Sequence, residues 1–278
     1  MSEAVANPPI VLCFSGHDPS GGAGIQADIE ALVSQGCHPV TVLTTLTVQD
    51  THNVHEFAAL PAEFVLKQAR ALLADMTIAA FKIGMLGSAE NARAIAELVA
   101  EHPDVPVVLD PILAAGGGTR VDSDELIEAL NASLLPRVTL LTPNSEEARK
   151  LTGKDNLDTC ARSLLDLGCG HVLITGGHES TAAVINTLYS RGERPDTFSW
   201  TRLPAIYHGS GCTLAASLAG LLAHRLPLSE AVNEAQAYTW QSLAEGYALG
   251  GGQLIPNRFY WATEEELPDG EDWLEDSF

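Results

Sequence analysis

Short apolar runs alternate with segments of helical periodicity along most of the chain. The first run, Ile10–Ser15, is continuous and apolar, which is typical of a strand buried on both faces. A turn-rich loop and a helical pattern from about Ile25 to Gln35 follow it. Strands that alternate with helices in this way predict an α/β fold whose central, mostly parallel sheet is flanked by helices. Further strands are predicted near 40–46, 79–83, 107–110, 138–141 and 171–175, and further helices near 62–73, 91–100, 124–130, 157–167, 211–224 and 229–247.

Two more strand candidates break this alternation. Residues 183–188 and 197–203 flank a polar turn, Ser190–Pro195, and together predict a terminal β-hairpin. No internal repeat or low-complexity linker interrupts the chain, so residues 1–262 are expected to form a single domain. Residues 263–278 are strongly acidic and are expected to be a partly mobile tail.

The composition limits the kinds of partner. The formal net charge is −21 and the sequence pI is about 4.6, which disfavours a surface for nucleic acid or for an anionic membrane. The five cysteines are scattered and lack the paired spacing of a metal site, so they are interpreted as reduced thiols. The N-terminal stretch lacks a basic segment and an apolar core, and no apolar run reaches membrane-spanning length. These features predict a soluble, cytoplasmic protein.

The strongest chemical signal is the segment His208–Thr213, which places two glycines directly before an apolar helical pattern. Glycines let the backbone approach a ligand closely, and the free N–H groups of a helix N-terminus attract anions such as phosphate. The segment therefore suits phosphoryl transfer, which depends mainly on positioning and on charge stabilisation. Cys212 lies at the positive end of this helix, where a thiol is expected to ionise more easily. A glycine-rich helix cap with a buried cysteine is the alternative interpretation.

Polar residues also follow the ends of several predicted strands, where open α/β sheets bind ligands. Gln49 is placed to contact the edge of a ligand, unless it is an exposed loop amide. Asp110 is a candidate for a magnesium or phosphate network. Asn144 and Glu147 share one side of a first helical turn, where they form either a capping arrangement or an outer-sphere site for Mg²⁺ and water.

Two common nucleotide-binding patterns are weak or absent. Gly22–Ala27 fits a loose G-x-G-x-x-A dinucleotide fingerprint, but no second strand ends in an acid about twenty residues later, which disfavours a dehydrogenase. The Gly153–Lys154 pair is followed by an aspartate, which excludes a P-loop. Asp28, in the next predicted helix, is either an acid that complements the helix dipole or an acceptor for a polar ligand.

Taken together, the motifs resemble those of hydroxymethylpyrimidine/phosphomethylpyrimidine kinases of thiamine biosynthesis, a family with the ribokinase-like fold. The matching segments keep the same order over nearly all the chain up to about residue 250. They are Gly16–Asp28, Lys82–Leu86, Leu109–Pro111, Thr142–Asn144 with Glu147, Gly176–His178 and His208–Thr213. The resemblance implies that ATP and Mg²⁺ are used to phosphorylate 4-amino-5-hydroxymethyl-2-methylpyrimidine, and then its monophosphate to the diphosphate.

The same resemblance implies a set of site residues and a homodimer. Cys212 would be the catalytic base, and the amides of Gly209, Ser210 and Gly211 would stabilise the transferred phosphoryl group. Asp110 and Glu147 would serve the metal ion. The pyrimidine would be surrounded by Gly16, Ala23, Asp28, Gln49, Met85, Ile112 and Cys212, and the nucleotide would be held by Asp110, Asn144, Glu147, Thr175 and Gly177.

Two positions depart from the family pattern. A Lys-Ser-Gly sequence is common where this chain has Ala115-Gly116-Gly117, and a lysine is common where it has Thr175. The missing positive charges predict weaker phosphate binding and a second phosphorylation less efficient than the first, with Arg120 as a candidate substitute. A pyridoxine or pyridoxal kinase, which shares the fold and the cysteine, is one alternative. A pyrimidine-binding protein without catalysis is the other.

Overall fold

The first apolar run forms β1 (Ile10–His17), which lies inside the sheet and pairs in parallel with a strand on each side. The computed structural model describes residues 7–115 and 119–262. Within them, the remaining strands are β2 (His38–Gln49), β3 (Val54–Ala59), β4 (Ile78–Ile83), β5 (Val107–Leu109), β6 (Ala114–Ala115), β7 (Thr119–Arg120), β8 (Leu140–Leu141), β9 (His171–Ile174), β10 (Ala183–Ser190) and β11 (Asp196–Thr201).

Eight α-helices cover the sheet in the described part of the chain. They are α1 (Gly24–Ser34), α2 (Ala62–Asp75), α3 (Ala89–Ala100), α4 (Asp124–Ala129), α5 (Ser145–Thr152), α6 (Leu157–Asp166), α7 (Ser210–Ala223) and α8 (Leu228–Ala244). A π-helical turn at Leu130–Leu134 and a 3-10 turn at Leu135–Arg137 continue α4. Among these helices, none is both long and apolar enough to cross a bilayer.

The main sheet has the order β11-β10-β9-β8-β5-β4-β1-β2-β3. Its six central strands, from β9 to β2, are parallel, and antiparallel strands complete both edges. The β10–β11 hairpin forms one edge. The predicted α/β class, with a mostly parallel sheet and a terminal hairpin, is confirmed.

Alternate residues of β1 point into two separate apolar cores, one on each face of the sheet. Leu12 and Phe14 pack in the core beneath α2 to α6. Val11 and Cys13 pack in the core that α1, α7 and α8 cover. Burial on both faces explains why the central strands have continuous apolar sequences and not an alternating pattern.

The order of the parallel strands also locates a crevice. Chain connections leave β1 towards β2 on one side, and the chain later returns to β4 on the other side. Ligands in open α/β sheets bind outside the carboxyl ends of the strands at such a switch point. Gly16 and His17 end β1 at this position, and Gly84 and Met85 follow β4.

Two features of the structure were not predicted. The strand predicted at 40–46 extends to Gln49 and pairs with β3, which is mostly exposed at the sheet edge and therefore lacks an apolar pattern. The loop predicted at Ala114–Gly118 begins as β6, which pairs with β7. Residues 116–118 and the acidic segment 263–278 lie outside the described residues.

Candidate functional site

A cavity of about 620 Å³ opens at the carboxyl ends of the parallel strands. All the predicted site residues except Asp28 line it. Those from the first half of the chain are Gly16, Ala23, Gln49, Met85, Asp110 and Ile112, and those from the second half are Asn144, Glu147, Thr175, Gly177, Gly209, Ser210, Gly211 and Cys212. The topology thus gathers residues that are far apart in the sequence.

The predicted anion hole is the N-terminus of α7. Gly209 caps this helix with a φ of 82°, a left-handed conformation that favours glycine. A Cβ at Gly209 would collide with the carbonyl oxygen of Gly22. The glycine therefore lets the loop of residues 18–24 lie directly against the start of α7, whose first residues line the cavity.

A buried arginine that the sequence analysis missed stands behind this contact. Arg258 is 1% exposed, and its guanidinium donates to the Thr213 hydroxyl at 2.9 Å, to the Gly22 carbonyl, and to Glu30 at 2.9 Å. It thereby ties together α7, the 18–24 loop and α1. Nothing in the local sequence around Arg258 signals this role, because its partners are far away in the chain.

Asp28 is the one predicted substrate residue that the structure does not bring to the cavity. Its side chain is fully buried, accepts a 2.6 Å hydrogen bond from Ser15, and forms an ion pair with Lys82 at 2.8 Å. Burial alone would lower the pKa of Lys82, but the nearby Asp28, Cys212 and Asp110 together hold it above its usual value. The interpretation of Asp28 as a direct ligand of the pyrimidine is therefore corrected: the carboxylate holds a buried lysine.

Gly84 makes room for this ion pair. A Cβ there would lie 2.6 Å from Nζ of Lys82 and 2.8 Å from Oγ of Ser15. The absence of a side chain at Gly84 thus allows the Lys82 ammonium to fold back against β1. Lys82 belongs to the segment Lys82–Leu86 that the sequence analysis singled out, but its role there was not predicted.

The electrostatics of Cys212 differ from the expectation of an easily ionised thiol. The residue is 5% exposed, and burial raises its pKa to about 12, with Asp110 and Asp28 adding to the shift. Lys82 and a hydrogen bond with the Gly24 backbone act in the opposite direction but do not reverse it. At neutral pH the sulfur therefore carries its proton. The favourable field of the helix N-terminus is outweighed by loss of water.

Asp110 and Glu147 lie close together as buried acids. Burial raises the pKa of Asp110 to about 6, partly offset by Lys82 and by a hydrogen bond with Cys212. Burial and the charge of Asp110 raise the pKa of Glu147 to about 8. Burial raises both pKa values, and a neighbouring carboxylate raises each further (Asp28 for Asp110, and Asp110 for Glu147), so a cation would be stabilised here.

Asn144 and Glu147 form the capping box that the sequence suggested. The Asn144 side chain accepts from the Glu147 backbone N–H at 2.9 Å, and Glu147 accepts from the Asn144 backbone N–H at 2.9 Å. The backbone N–H of Leu113 also donates to Glu147, at 3.3 Å. Each Glu147 oxygen thus already has one donor, which leaves one further lone pair on each.

Asp18 and His208 form a second buried polar group in the cavity wall. Nε2 of His208 lies 2.7 Å from Oδ2 of Asp18 and 2.8 Å from the amide of Gln49. Ser20 and the backbone N–H of Ala23 also donate to Asp18. Both residues are in the motifs quoted above, but sequence reasoning gave neither a role, because 190 residues separate them.

The cavity has a further lobe between the β10–β11 hairpin and α8. There the Gln236 side-chain oxygen accepts from Asn186 at 2.8 Å and from Trp200 at 3.1 Å, and Asn186 accepts from the Gly176 backbone at 3.0 Å. Sequence analysis missed this network. The polar residues stand at mid-element positions whose shared orientation only the fold reveals.

The positions of the missing lysines are only partly described. Thr175 lines the cavity and forms a parallel bridge with Asn144. The side chains of Ala115 and Arg120 lie outside the described part of the structure. Among the described residues, no group of three or more histidine, cysteine, aspartate or glutamate side chains is arranged to hold a metal ion.

Comparisons with known proteins identify the family of the chain. The family model described as phosphomethylpyrimidine kinase matches residues 18–257. The hydroxymethylpyrimidine/phosphomethylpyrimidine kinase of Streptomyces coelicolor is 37% identical, covering 93% of this chain and 97% of its own. That of Salmonella typhimurium is 38% identical, covering 88% and 94%.

Solved structures of similar fold include pyridoxal kinases and the phosphomethylpyrimidine kinase of Clostridium difficile. The ADP complex of the Bacillus subtilis pyridoxal kinase has a TM-score of 0.82 and 27% identity, covering 91% of this chain and 98% of its own. The Staphylococcus aureus pyridoxal kinase, in complex with AMP-PCP and pyridoxal, has a TM-score of 0.83 and 26% identity, covering 93% and 97%. These neighbours agree with the ribokinase-like fold, and by the family match across residues 18–257 the chain belongs to the phosphomethylpyrimidine kinases.

Proposed function

We propose that the protein transfers a phosphoryl group from ATP to 4-amino-5-hydroxymethyl-2-methylpyrimidine, and then to the resulting monophosphate, in thiamine biosynthesis. The observation that carries this proposal is the single cavity in which Gln49, Cys212 and the α7 anion hole line one space. A polar planar ligand bound beside Gln49 would thus lie in the same cavity as a site suited to a phosphoryl group. The curated relatives named above support this choice of substrate.

The substrate lobe combines apolar walls with one amide. Met85 and Ile112 supply apolar surface, and Gly16 and Ala23 leave room for a flat ring. The Gln49 amide can pair with the amino group and ring nitrogen of an aminopyrimidine, as glutamine and asparagine pair with adenine.

The reacting phosphoryl group is assigned to the start of α7. The backbone N–H groups of Gly209, Ser210 and Gly211 point to a site for negative charge that needs no reorganisation during the reaction. Phosphoryl transfer has a loose transition state, so such positioning and charge stabilisation supply most of the catalysis.

Cys212 is assigned to the hydroxyl group of the substrate. Because burial raises its pKa to about 12, the sulfur is a neutral thiol when the substrate arrives. We infer that the sulfur orients the hydroxyl and accepts its proton late in the transfer, as the thiol proton moves to Asp110. Asp110 is a suitable recipient because its carboxylate already accepts a hydrogen bond from the Cys212 thiol.

The nucleotide is assigned to the rest of the cavity, along Asn144, Thr175 and Gly177. The ADP and AMP-PCP complexes of the pyridoxal kinases support ATP as the donor. The donor set also fits magnesium, which is often bound by one or two carboxylates together with substrate phosphates. Asp110 and Glu147 would hold Mg²⁺, with the remaining lone pair on each Glu147 oxygen available to the ion or to its water ligands. When bound, the ion would neutralise charge on the phosphates.

We also propose a cytoplasmic homodimer. The five cysteines are free and buried, which is consistent with a reducing compartment. Leu46 and Val48 of β2 and Ile206 expose large apolar side chains, which is consistent with a surface covered by a second copy. Light scattering at several protein concentrations tests the dimer.

The deciding experiment is a phosphorylation assay with the aminopyrimidine alcohol, ATP and Mg²⁺ that resolves monophosphate from diphosphate. Turnover of the alcohol, abolished when Mg²⁺ is chelated, is the expected result. Pyridoxal is assayed in parallel, because the solved neighbours include pyridoxal kinases. A higher kcat/KM for pyridoxal would overturn the assignment, and pyrimidine binding without ATP consumption would indicate a binding protein.

A further inference from the structure

The amide of Gln49 is held between two groups in the cavity wall. In the structure its nitrogen lies 2.8 Å from Nε2 of His208 and its oxygen lies 3.1 Å from Oγ1 of Thr47. The oxygen and nitrogen of a carboxamide exchange places when its end group makes half a turn. The hydrogen-bonding requirements of the two partners therefore decide which atom faces which partner.

At the His208 end, Asp18 determines which amide atom of Gln49 faces the imidazole ring. Oδ2 of Asp18 lies 2.7 Å from Nε2 of His208 and also accepts from the backbone N–H of Ala23. Burial would raise the pKa of Asp18, but hydrogen bonds from His208 and Ser20 hold it below its usual value, so the group is a carboxylate. A carboxylate only accepts hydrogen bonds, and Nε2 of His208 must therefore carry a proton. A protonated ring nitrogen has no lone pair for an amide N–H, so the two amide atoms must exchange places and Gln49 turns its oxygen towards His208.

At the Thr47 end, the hydroxyl group of Thr47 leads independently to the same orientation of the amide. Oγ1 of Thr47 lies 2.8 Å from the carbonyl oxygen of His17, which can only accept. The hydroxyl proton is used in that bond, and Oγ1 can only accept from Gln49. The NH₂ group of Gln49 therefore faces Thr47.

We propose that His208 and Thr47 fix the amide of Gln49 in this one orientation, and that the resulting order of acceptor and donor makes the protein select 4-aminopyrimidines over 4-oxopyrimidines. One lone pair of the oxygen and one N–H of the amide remain for a ligand. They present an acceptor on the His208 side and a donor on the Thr47 side. His208 and Thr47 are positioning residues in this proposal, which rests on the function proposed above.

The two ring systems differ in the edge that they offer. An aminopyrimidine presents a donor, its 4-amino group, beside an acceptor, its ring N3. The 4-oxo analogue, 5-hydroxymethyl-2-methylpyrimidin-4(3H)-one, carries the same alcohol but presents an acceptor beside an N–H donor. Against a fixed Gln49, that edge sets acceptor against acceptor and donor against donor. Discrimination by one well-formed bidentate amide contact is on the order of 10- to 100-fold.

The test compares kcat/KM for the two alcohols in the wild-type protein and in two matched pairs of variants. The ratio of the two values is independent of how much of each preparation is folded. We expect the wild type to prefer the amino compound by about 10-fold or more. Thr47→Val removes the acceptor and should bring the ratio towards one, whereas Thr47→Ser keeps the hydroxyl and the preference. His208→Met removes the donor and should have the same effect as Thr47→Val, whereas His208→Gln retains a donor N–H.

Several outcomes would overturn the inference. A wild-type ratio near one would do so, as would equal ratios in Thr47→Val and Thr47→Ser. ¹⁵N NMR of His208 gives a second measurement: an unprotonated Nε2 contradicts the assigned orientation. If the wild type phosphorylates neither alcohol, the proposed function fails, and calorimetric binding of the two pyrimidines to the same variants then tests the orientation by the ratio of their affinities.

Discussion

Nε of Arg258 donates to the hydroxyl of Thr213 at 2.9 Å, although 45 residues of chain separate them. The same guanidinium also donates to Gly22 and Glu30, so one side chain connects the start of α7 with the 18–24 loop and α1. The position of the start of α7 relative to the 18–24 loop therefore depends on a residue that does not line the cavity.

Replacing Arg258 with methionine is expected to destabilise the protein by about 2–5 kcal/mol, because buried partners lose their donors. The loss should be accompanied by a fall in kcat as the two walls separate. Urea unfolding and steady-state kinetics measure the two effects. Arg258→Lys is the control that keeps the charge but not all three contacts. Its stability and kcat should lie between those of the wild type and Arg258→Met. Unchanged stability of Arg258→Met would contradict the proposed role of the Arg258 contacts.

Cys212→Ala is expected to fold normally and to lower turnover by a factor on the order of 10²–10⁴, the usual contribution of a positioned proton acceptor. A small side chain fits the start of α7, so circular dichroism and thermal unfolding should match those of the wild type. Cys160→Ala is a matched control, since Cys160 is buried in α6 outside the cavity. Near-normal turnover of folded Cys212→Ala would leave the cysteine with a structural role alone.

The stability of the ligand-free protein should depend on the ionisation of Glu147. Burial and Asp110 raise its folded pKa to about 8, above the ordinary value of 4.5. The folded state therefore binds the proton more tightly than the unfolded state does. The stabilisation that comes from this proton is lost as pH rises from about 4.5 to 8. Glu147→Gln removes this titration while keeping the N3 cap. Urea unfolding at pH 5 and pH 8 should give a smaller decrease for Glu147→Gln; an equal decrease in both proteins would refute the assignment.

Thr175→Lys is expected to improve the second phosphorylation selectively. The first step brings a neutral alcohol to ATP, whereas the second brings a phosphate dianion towards another polyphosphate, and this repulsion demands positive charge. Thr175 lines the cavity beside Asn144, so a lysine there enters the same space. The measurement is kcat/KM for alcohol and monophosphate in both proteins, with Thr175→Met as the uncharged control. Equal efficiencies of the two steps in the wild type would show that the missing lysines have no such consequence.

The central sheet and most of the cavity could be predicted because both rest on local signals. Continuous apolar runs such as Ile10–Ser15 mark buried parallel strands, and polar residues that follow them, such as Gln49 and Asp110, collect at one edge of the sheet. The strand Val54–Ala59 was not predicted, because an exposed edge strand needs no apolar pattern.

The missed and corrected features share a different cause. Three missed features depend on contacts between distant segments, which one sequence does not encode locally. They are the contacts of Arg258, the Asp18–His208 pair and the Asn186–Gln236 network. The prediction that the Cys212 thiol ionises easily was wrong, because the sequence shows a helix terminus but does not show burial. The predicted role of Asp28 was corrected for the same reason. Its position one turn into α1 was predicted correctly, but its side chain points inward to Lys82 and not to the cavity.

The ion pair of Asp28 and Lys82 also restricts how this protein can be changed. Both side chains are fully buried, so a substitution at either position alone strands a charge in the core, with a cost of roughly 3–5 kcal/mol. Two neutral residues of similar volume avoid that cost, which means that the acceptable alternatives are reached by simultaneous replacement. A library that samples one position at a time would score both sites as intolerant, while a library that samples them jointly would recover folded sequences from the same pair of positions.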